Sequence, residues 1–194
     1  MASLSVRDKE ALRTRLSGVR DSIEPVDRLS RAETIAAYLG SLPAFAEASA
    51  IAFYYSVGSE VPTHALIQRV VEEEGRRAFL PYVANGQLEL AEWRPSDPVI
   101  QGDYVSFQPR FRHPAALDEI EAIVVPGLAF DPAGHRLGSG RGLHDDLLGR
   151  LGVAIRIGVG FDEQVVDDVP AEDTDAILHH VVTDERILDC RTGA

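Results

Sequence analysis

A chain of 194 residues, 45% hydrophobic and 26% charged, has the size and composition of a globular protein with a substantial core. Its formal net charge of −12 repels nucleic acid, and no apolar run approaches the roughly 18–20 residues that span a bilayer, so nucleic-acid and membrane partners are not expected. A single cysteine, Cys190, excludes a disulfide framework and a cysteine zinc site; the charged N-terminus has no apolar signal region, so the cytoplasm is the expected compartment.

Residues 6–22 carry Leu12, Leu16 and Val19 at helical spacing. This helix lies in the basic stretch from Arg7 to Arg31, which is either a solvated face or a source of cations for an anionic ligand. A second helix is predicted from near Ser30, with Ile35, Ala36 and Leu39 inward and Gly40 and Pro43 at its end. Ala50–Tyr55 reads as a buried strand and Ser56–Ser59 as a loop with Glu60 at its end. Thr63 is placed to cap a helix running to about Glu74, where Gly75 stops it. Ala78–Leu80 is a short strand closed by Pro81. Strand, helix and strand in that order make a βαβ unit, and hence a parallel sheet.

Gln87–Trp93 reads as an edge strand or hairpin, and 94–118, rich in proline, as irregular. Ile120–Val125 is the next strand, followed by a helix at Asp145–Leu151, a strand at Val153–Val159, a short turn or helix at Phe161–Val165 and a last strand at Ala176–Val182. No repeat or linker interrupts the chain, so residues 1–194 are expected to form one domain.

The stretch with the most chemistry is Ile123–Leu148. An apolar strand breaks at Pro126-Gly127 and turns at Asp131–Gly134. Gly138, Gly140 and Gly142 then alternate with Ser139 and Arg141, and His144, Asp145 and Asp146 lead into a helix start. Glycines let a backbone approach a ligand, their N–H groups cradle phosphate oxygens, and Arg136 and Arg141 add charge-assisted bonds. Asp145 is a candidate magnesium ligand. The loop is neither a Walker A nor a dinucleotide GxGxxG, and a structural β–α turn would use the same glycines. Elsewhere, Glu60 lies beyond a strand's carboxyl end, Tyr54, Tyr55 and Trp93 offer rings for stacking or core packing, and Asp173 and Asp175 are metal ligands or a polar lead-in. There is no GxSxG, so nucleophilic catalysis is not expected.

These residues, taken together, resemble the 5-formyltetrahydrofolate cyclo-ligase (methenyltetrahydrofolate synthetase) family over nearly the whole chain. Four blocks carry the likeness: Lys9–Arg13, IAFYYSVGSEVPT ending at Thr63, VVPGLAFDPAGHRLGSGRG from Val124 to Gly142 with Asp145 after it, and GFDEQVVDDVPAEDTD from Gly160 to Asp175. The resemblance implies a three-layer α/β/α domain with a mostly parallel, Rossmann-like sheet, related to the CoA transferases. It implies a monomeric enzyme that uses ATP and magnesium to turn 5-formyltetrahydrofolate into 5,10-methenyltetrahydrofolate.

By position, Lys9, Arg13 and the loop Arg136, Leu137, Gly138, Ser139, Gly140, Arg141, Gly142, Leu143 and His144 would bind ATP. Arg136, Arg141 and His144 would be the catalytic groups. Tyr55, Glu60 and Trp93 would bind the folate, with Ser139 to Leu143 bordering it; Asp145 and Asp175 would hold the metal. Departures from the family pattern cluster in the same loop. Ser139 stands for Arg or Tyr, Leu143 for an aromatic and His144 for Tyr, and His144 is expected to titrate near neutrality. Asp146, Gln108-Pro109 and Thr174 also depart from it.

Overall fold

The computed structural model describes residues 6–102, 107–172 and 175–192; Asp173 and Thr174 lie outside them. The chain opens with α1 (Val6–Asp21), α2 (Pro25–Ser41) and the short α3 (Pro43–Ala46). α2 begins at Pro25 rather than near Ser30. A proline at the first helical position has its φ preset and gives up only an N–H that has no partner there. The predicted apolar stripe of Ile35, Ala36 and Leu39 is buried.

β1 (Ala50–Ala52) is shorter than expected. Beyond Phe53 the ladder is replaced by bonds from Thr63, whose hydroxyl donates to the Tyr54 carbonyl at 2.9 Å and accepts the Ser56 N–H at 3.2 Å. Thr63 therefore holds this loop and makes no side-chain cap on α4 (His64–Glu72). β2 (Arg77–Ala84) continues through Pro81. Residue 81 faces the same side as Phe79, whose carbonyl accepts the Phe53 N–H, and β1 pairs with β2 only as far as Phe79, so the missing proline N–H costs no ladder bond.

β3 (Gln87–Trp93) pairs antiparallel with β2 as the edge strand. Within the stretch expected to be irregular, β4 (Val99–Gln101) and β5 (Phe107–Pro109) form a small hairpin. β6 (Ala122–Pro126) is followed by the paired β7 (Ala129–Phe130) and β8 (Arg136–Leu137). Then come α5 (Leu143–Arg150), β9 (Ile155–Val159), β10 (His180–Val182) and β11 (Ile187–Asp189).

The main sheet has the order β11-β10-β9-β6-β1-β2-β3, with parallel strands inside and antiparallel β3 and β11 at the edges. Alternate residues serve two cores. Ile51 and Val124 point to the face covered by α2, α3 and α4, whereas Ala52, Ile123 and Val125 point to the face covered by Leu147 and Leu148 of α5. This is the three-layer α/β/α arrangement with a mostly parallel sheet.

One ring locks the ligand end of the sheet. Phe130 is fully buried, and a Cβ on Gly127, Gly158 or Gly160 would lie 2.5, 2.6 or 2.7 Å from it, so three glycines make room for one aromatic. Buried Gln164 reinforces the same corner by donating to the Gly127 carbonyl at 2.8 Å while its own carbonyl accepts the Phe161 N–H at 2.9 Å. The predicted turn at Asp131–Gly134 is closed by Asp131, which accepts the His135 N–H and the Val169 N–H, both at 2.9 Å.

Candidate active site

From β1 the chain crosses through α4 to β2 on one side of the sheet, and later enters β6 on the other side. Strand order thus reverses between β1 and β6, and their carboxyl ends diverge into the loops 53–63 and 126–142. Open α/β sheets bind ligands at such a point. A cavity of about 1240 Å³ opens there, walled by α1, both loops and the start of α5.

On α1, Lys9, Arg13, Ser17 and Arg20 follow one another at helical intervals, and all four line the cavity. The reading of this basic stretch as a ligand-facing surface therefore has a geometric basis. Arg13 Nε donates to the Gly138 carbonyl at 3.1 Å. Its guanidinium lies over Gly140, where a Cβ would come within 3.3 Å, and Gly140 has φ +93°, a conformation suited to glycine. Lys9 bridges to Glu172 at 2.8 Å and Asp175 at 3.3 Å. Burial pulls the Lys9 ammonium down, but the Glu172 hydrogen bond and the Asp175 charge outweigh it and leave its pKa raised.

Arg136 is nearly inaccessible from outside, with a side chain only 3% exposed, and it pairs with Asp145 at 2.6 Å. Among the described residues its Nε has no hydrogen-bond partner. The loop above it ends at Gly142, whose φ of +68° turns the chain into α5, so Asp145 and Asp146 fall in the helix's first turn. Ser139, Arg141 and Leu143 also line the cavity. His144 lines it too, but does not titrate near neutrality as expected. Burial, with the Arg136 charge beside it, pushes the imidazole down to about 3, so it is a neutral ring at working pH.

The opposite wall is aromatic. Tyr55 stacks on His64 with centroids 3.9 Å apart and meets Phe107 edge-on at 5.7 Å. Glu60 stands beside them and accepts the Val57 N–H at 3.0 Å. Burial pushes its carboxyl above the usual carboxylate range, and that N–H and the Arg20 charge only partly offset this.

Trp93, the third expected folate residue, does not line the cavity. It packs in the core on the α2 face, and its indole N–H donates to the Asp97 carbonyl at 3.1 Å. An apolar ring whose one polar atom already has a partner has no reason to face a ligand. Phe107 lines the cavity beside Tyr55 where Trp93 does not. Sequence reading singled out its neighbours Gln108-Pro109 as a departure from the family pattern, but the stretch has no periodicity that would place Phe107 on a cavity.

Both expected metal ligands are on the cavity, and each is matched to a cation: Asp145 to Arg136 and Asp175 to Lys9. Among the described residues no group of three or more His, Cys, Asp or Glu gathers to form an all-protein cage. The donor set is nevertheless one of hard oxygens. It fits a magnesium ion that takes one or two carboxylates and completes its shell from ligand phosphates and water.

Residues 5–184 match the model of the 5-formyltetrahydrofolate cyclo-ligase family. The chain belongs to that family. A 5-formyltetrahydrofolate cyclo-ligase from Mycolicibacterium smegmatis is 32% identical over 94% of this chain and 97% of its own length. One from Escherichia coli K12 is 25% identical over 88% of this chain and 97% of its own. The structure of a 5,10-methenyltetrahydrofolate synthetase from Aquifex aeolicus superposes with a TM-score of 0.85 at 28% identity, covering 96% of this chain and 94% of that one. No helix among the described residues is long and apolar enough to cross a membrane.

Proposed function

We propose that this cyclo-ligase family member converts 5-formyltetrahydrofolate to 5,10-methenyltetrahydrofolate with ATP and magnesium, releasing ADP and phosphate, as a cytoplasmic monomer folded as one domain. The observation that carries this reading is a single cavity with a cationic, glycine-lined wall facing an aromatic wall that bears a carboxylate.

In this reaction the formyl oxygen takes the γ-phosphoryl group, N10 then attacks the activated carbon and gives up its proton, and phosphate leaves as the ring closes. The protein's part is positioning and charge neutralisation. Lys9, Arg13 and Arg136 meet the triphosphate. The backbone N–H groups of the 138–142 loop cradle it, and Arg141 would add positive charge toward the transferring phosphoryl group. Magnesium, when bound, neutralises phosphate charge, and Asp145, with Asp175 as a second carboxylate, would hold it. For that, phosphate oxygens must replace the carboxylates as partners of Arg136 and Lys9. The neutral His144 ring supplies a hydrogen bond without a charge. Glu60 accepts the pterin N–H donors, Tyr55 and Phe107 pack against its ring, and Ser139 and Leu143 border the folate.

Incubation of purified protein with 5-formyltetrahydrofolate, ATP and magnesium, followed by near-ultraviolet absorbance of the methenyl product, tests the reading. Product that depends on both ATP and metal is expected. ATP binding without product would mean that Ser139, Leu143 and His144 have redirected the site to another substrate.

Two variants separate the walls. Glu60→Gln is expected to raise the folate KM about tenfold or more, because one oxygen acceptor becomes a donor, while the ATP KM stays within about twofold. Equal effects on both would count against a pterin role for Glu60. Gly140→Ala forces a side chain onto φ +93° and against Arg13, so it is expected to weaken ATP binding roughly tenfold and to lower Tm by a few degrees. Unchanged ATP affinity by calorimetry would show that the Arg13–loop contact is irrelevant to the nucleotide.

A further inference from the structure

The last turn of α1 reaches the folate side of the cavity. Arg20 Nε donates to the Ser59 hydroxyl at 3.0 Å, and Ser59 in turn donates to Asp21. Ser17 donates to the other oxygen of Asp21 at 3.4 Å, and from α2 the Arg28 guanidinium donates to the Gly58 carbonyl at 3.0 Å. The loop that ends in Glu60 is therefore tied to two helices at consecutive residues, Gly58 and Ser59. Arg20 and Glu60 both line the cavity, and among the described residues the one side-chain hydrogen bond of Arg20 is that to Ser59.

The groups around Glu60 assign Arg20 a particular part. From α1 it faces Arg20, with Asp21 one residue on and engaged by Ser59; from α2, Arg28 is committed to the loop carbonyl. The Tyr54 phenol, at the end of the β1 segment, donates to the Val61 carbonyl at 2.8 Å and stays protonated, because burial raises its pKa well above the usual value. His64 at the start of α4 touches the loop from behind, through Ser56, and burial keeps it neutral. After the Val57 N–H, the Arg20 charge is the next influence that offsets the burial of Glu60, and it acts without a direct ion-pair contact.

We propose that Arg20 is a positioning residue for substrate recognition: it pins the Glu60 loop to α1 and supplies the positive charge that the Glu60 carboxylate faces while it accepts a ligand's N–H groups. The proposal rests on the folate role of Glu60 given above. It follows that α1 serves both halves of the cavity, with Lys9 and Arg13 toward the triphosphate and Arg20 toward the pterin.

The test combines a measurement that needs no activity with one that does. Carbon-detected NMR titration of the glutamate carboxyls, with the Glu60 signal assigned by its absence in Glu60→Gln, gives the Glu60 midpoint directly. Arg20→Gln is expected to move that midpoint measurably up, and Arg20→Lys to leave it near the wild-type value. Arg20→Met, which keeps the aliphatic stem, replaces the glutamine variant if that fails to fold. An unmoved Glu60 midpoint in the uncharged variant overturns the proposal.

In the cyclo-ligase assay, Arg20→Gln is expected to raise the folate KM about tenfold, with the ATP KM within about twofold. The acid limb of the folate kcat/KM profile should move up with the carboxyl midpoint, and Arg20→Lys should recover most of the loss. Equal damage in the lysine and glutamine variants with an unmoved limb would reduce Arg20 to a structural tether. Wild-type protein that makes no methenyl product defeats the proposed function, while the NMR titration still decides the Arg20–Glu60 pairing.

Discussion

Arg136→Gln is expected to lower kcat/KM for ATP by about a hundred- to a thousandfold, the range typical of removing one charge-stabilising donor from a water-poor site. Arg136 is held under the glycine loop by Asp145 at 2.6 Å and by the Pro126 carbonyl at 3.4 Å, and a Cβ on Gly138 would lie 2.7 Å from its Nη1. The Pro126 carbonyl and the Gly138 backbone hold Arg136 independently of Asp145, so it stays in place when phosphate oxygens replace that carboxylate. The substitution also strands Asp145, whose side chain is 24% exposed, so a loss of about 1–3 kcal/mol and a Tm lower by several degrees should accompany it. Steady-state kinetics with a thermal melt separate the two effects. A kcat/KM within threefold of wild type in a folded variant would remove Arg136 from the chemistry.

The largest stability effect is expected at Phe130. Truncation to alanine should cost about 3–5 kcal/mol, a sizeable share of the roughly 5–15 kcal/mol that holds a typical domain together. The companion experiment is a double-mutant cycle with Gly127→Ala. In the wild type the new methyl would meet the Phe130 ring at 2.5 Å, an overpacking worth about 1–3 kcal/mol. In the Phe130→Ala background the same methyl enters vacated space and should cost almost nothing. Denaturant titration of the four proteins is expected to give strong non-additivity, and additive losses would show that the ring and the glycine do not share a site.

Much of the fold was legible because it rests on local signals. The stripe of Ile35, Ala36 and Leu39, the βαβ order from β1 to β2, and the Asp131–Gly134 turn are written in adjacent residues. Where the chain departs from expectation, a distant partner intervenes. β1 ends early because Thr63 reaches back to Tyr54 and Ser56, and β2 passes Pro81 because its neighbour strand has already stopped.

The site divides in the same way. The glycine loop and its charges form one contiguous motif, so Arg136, Gly140 and Asp145 stand out in the sequence. Of the two readings open to the Trp93 ring, stacking or core packing, burial and a satisfied indole select the core. Arg20 lies in the basic stretch and Phe107 beside Gln108-Pro109, but that both reach one cavity, through a helix end and a hairpin, is visible only in the folded chain. The same holds for His144, whose neutrality depends on burial beside Arg136.

The cavity of about 1240 Å³ is continuous from the Lys9 end of α1 to the Tyr55–Phe107 wall. Among the described residues no partition separates the two ends, so a single molecule in which a short tether joins a polyphosphate to a flat, N–H-bearing heterocycle could occupy both. Once one end is docked, the other is presented at an effective concentration of the order of millimolar. Such a tethered compound should bind far more tightly than either fragment alone, and the length of tether giving the greatest gain would measure the gap between the reacting groups as a molecular ruler.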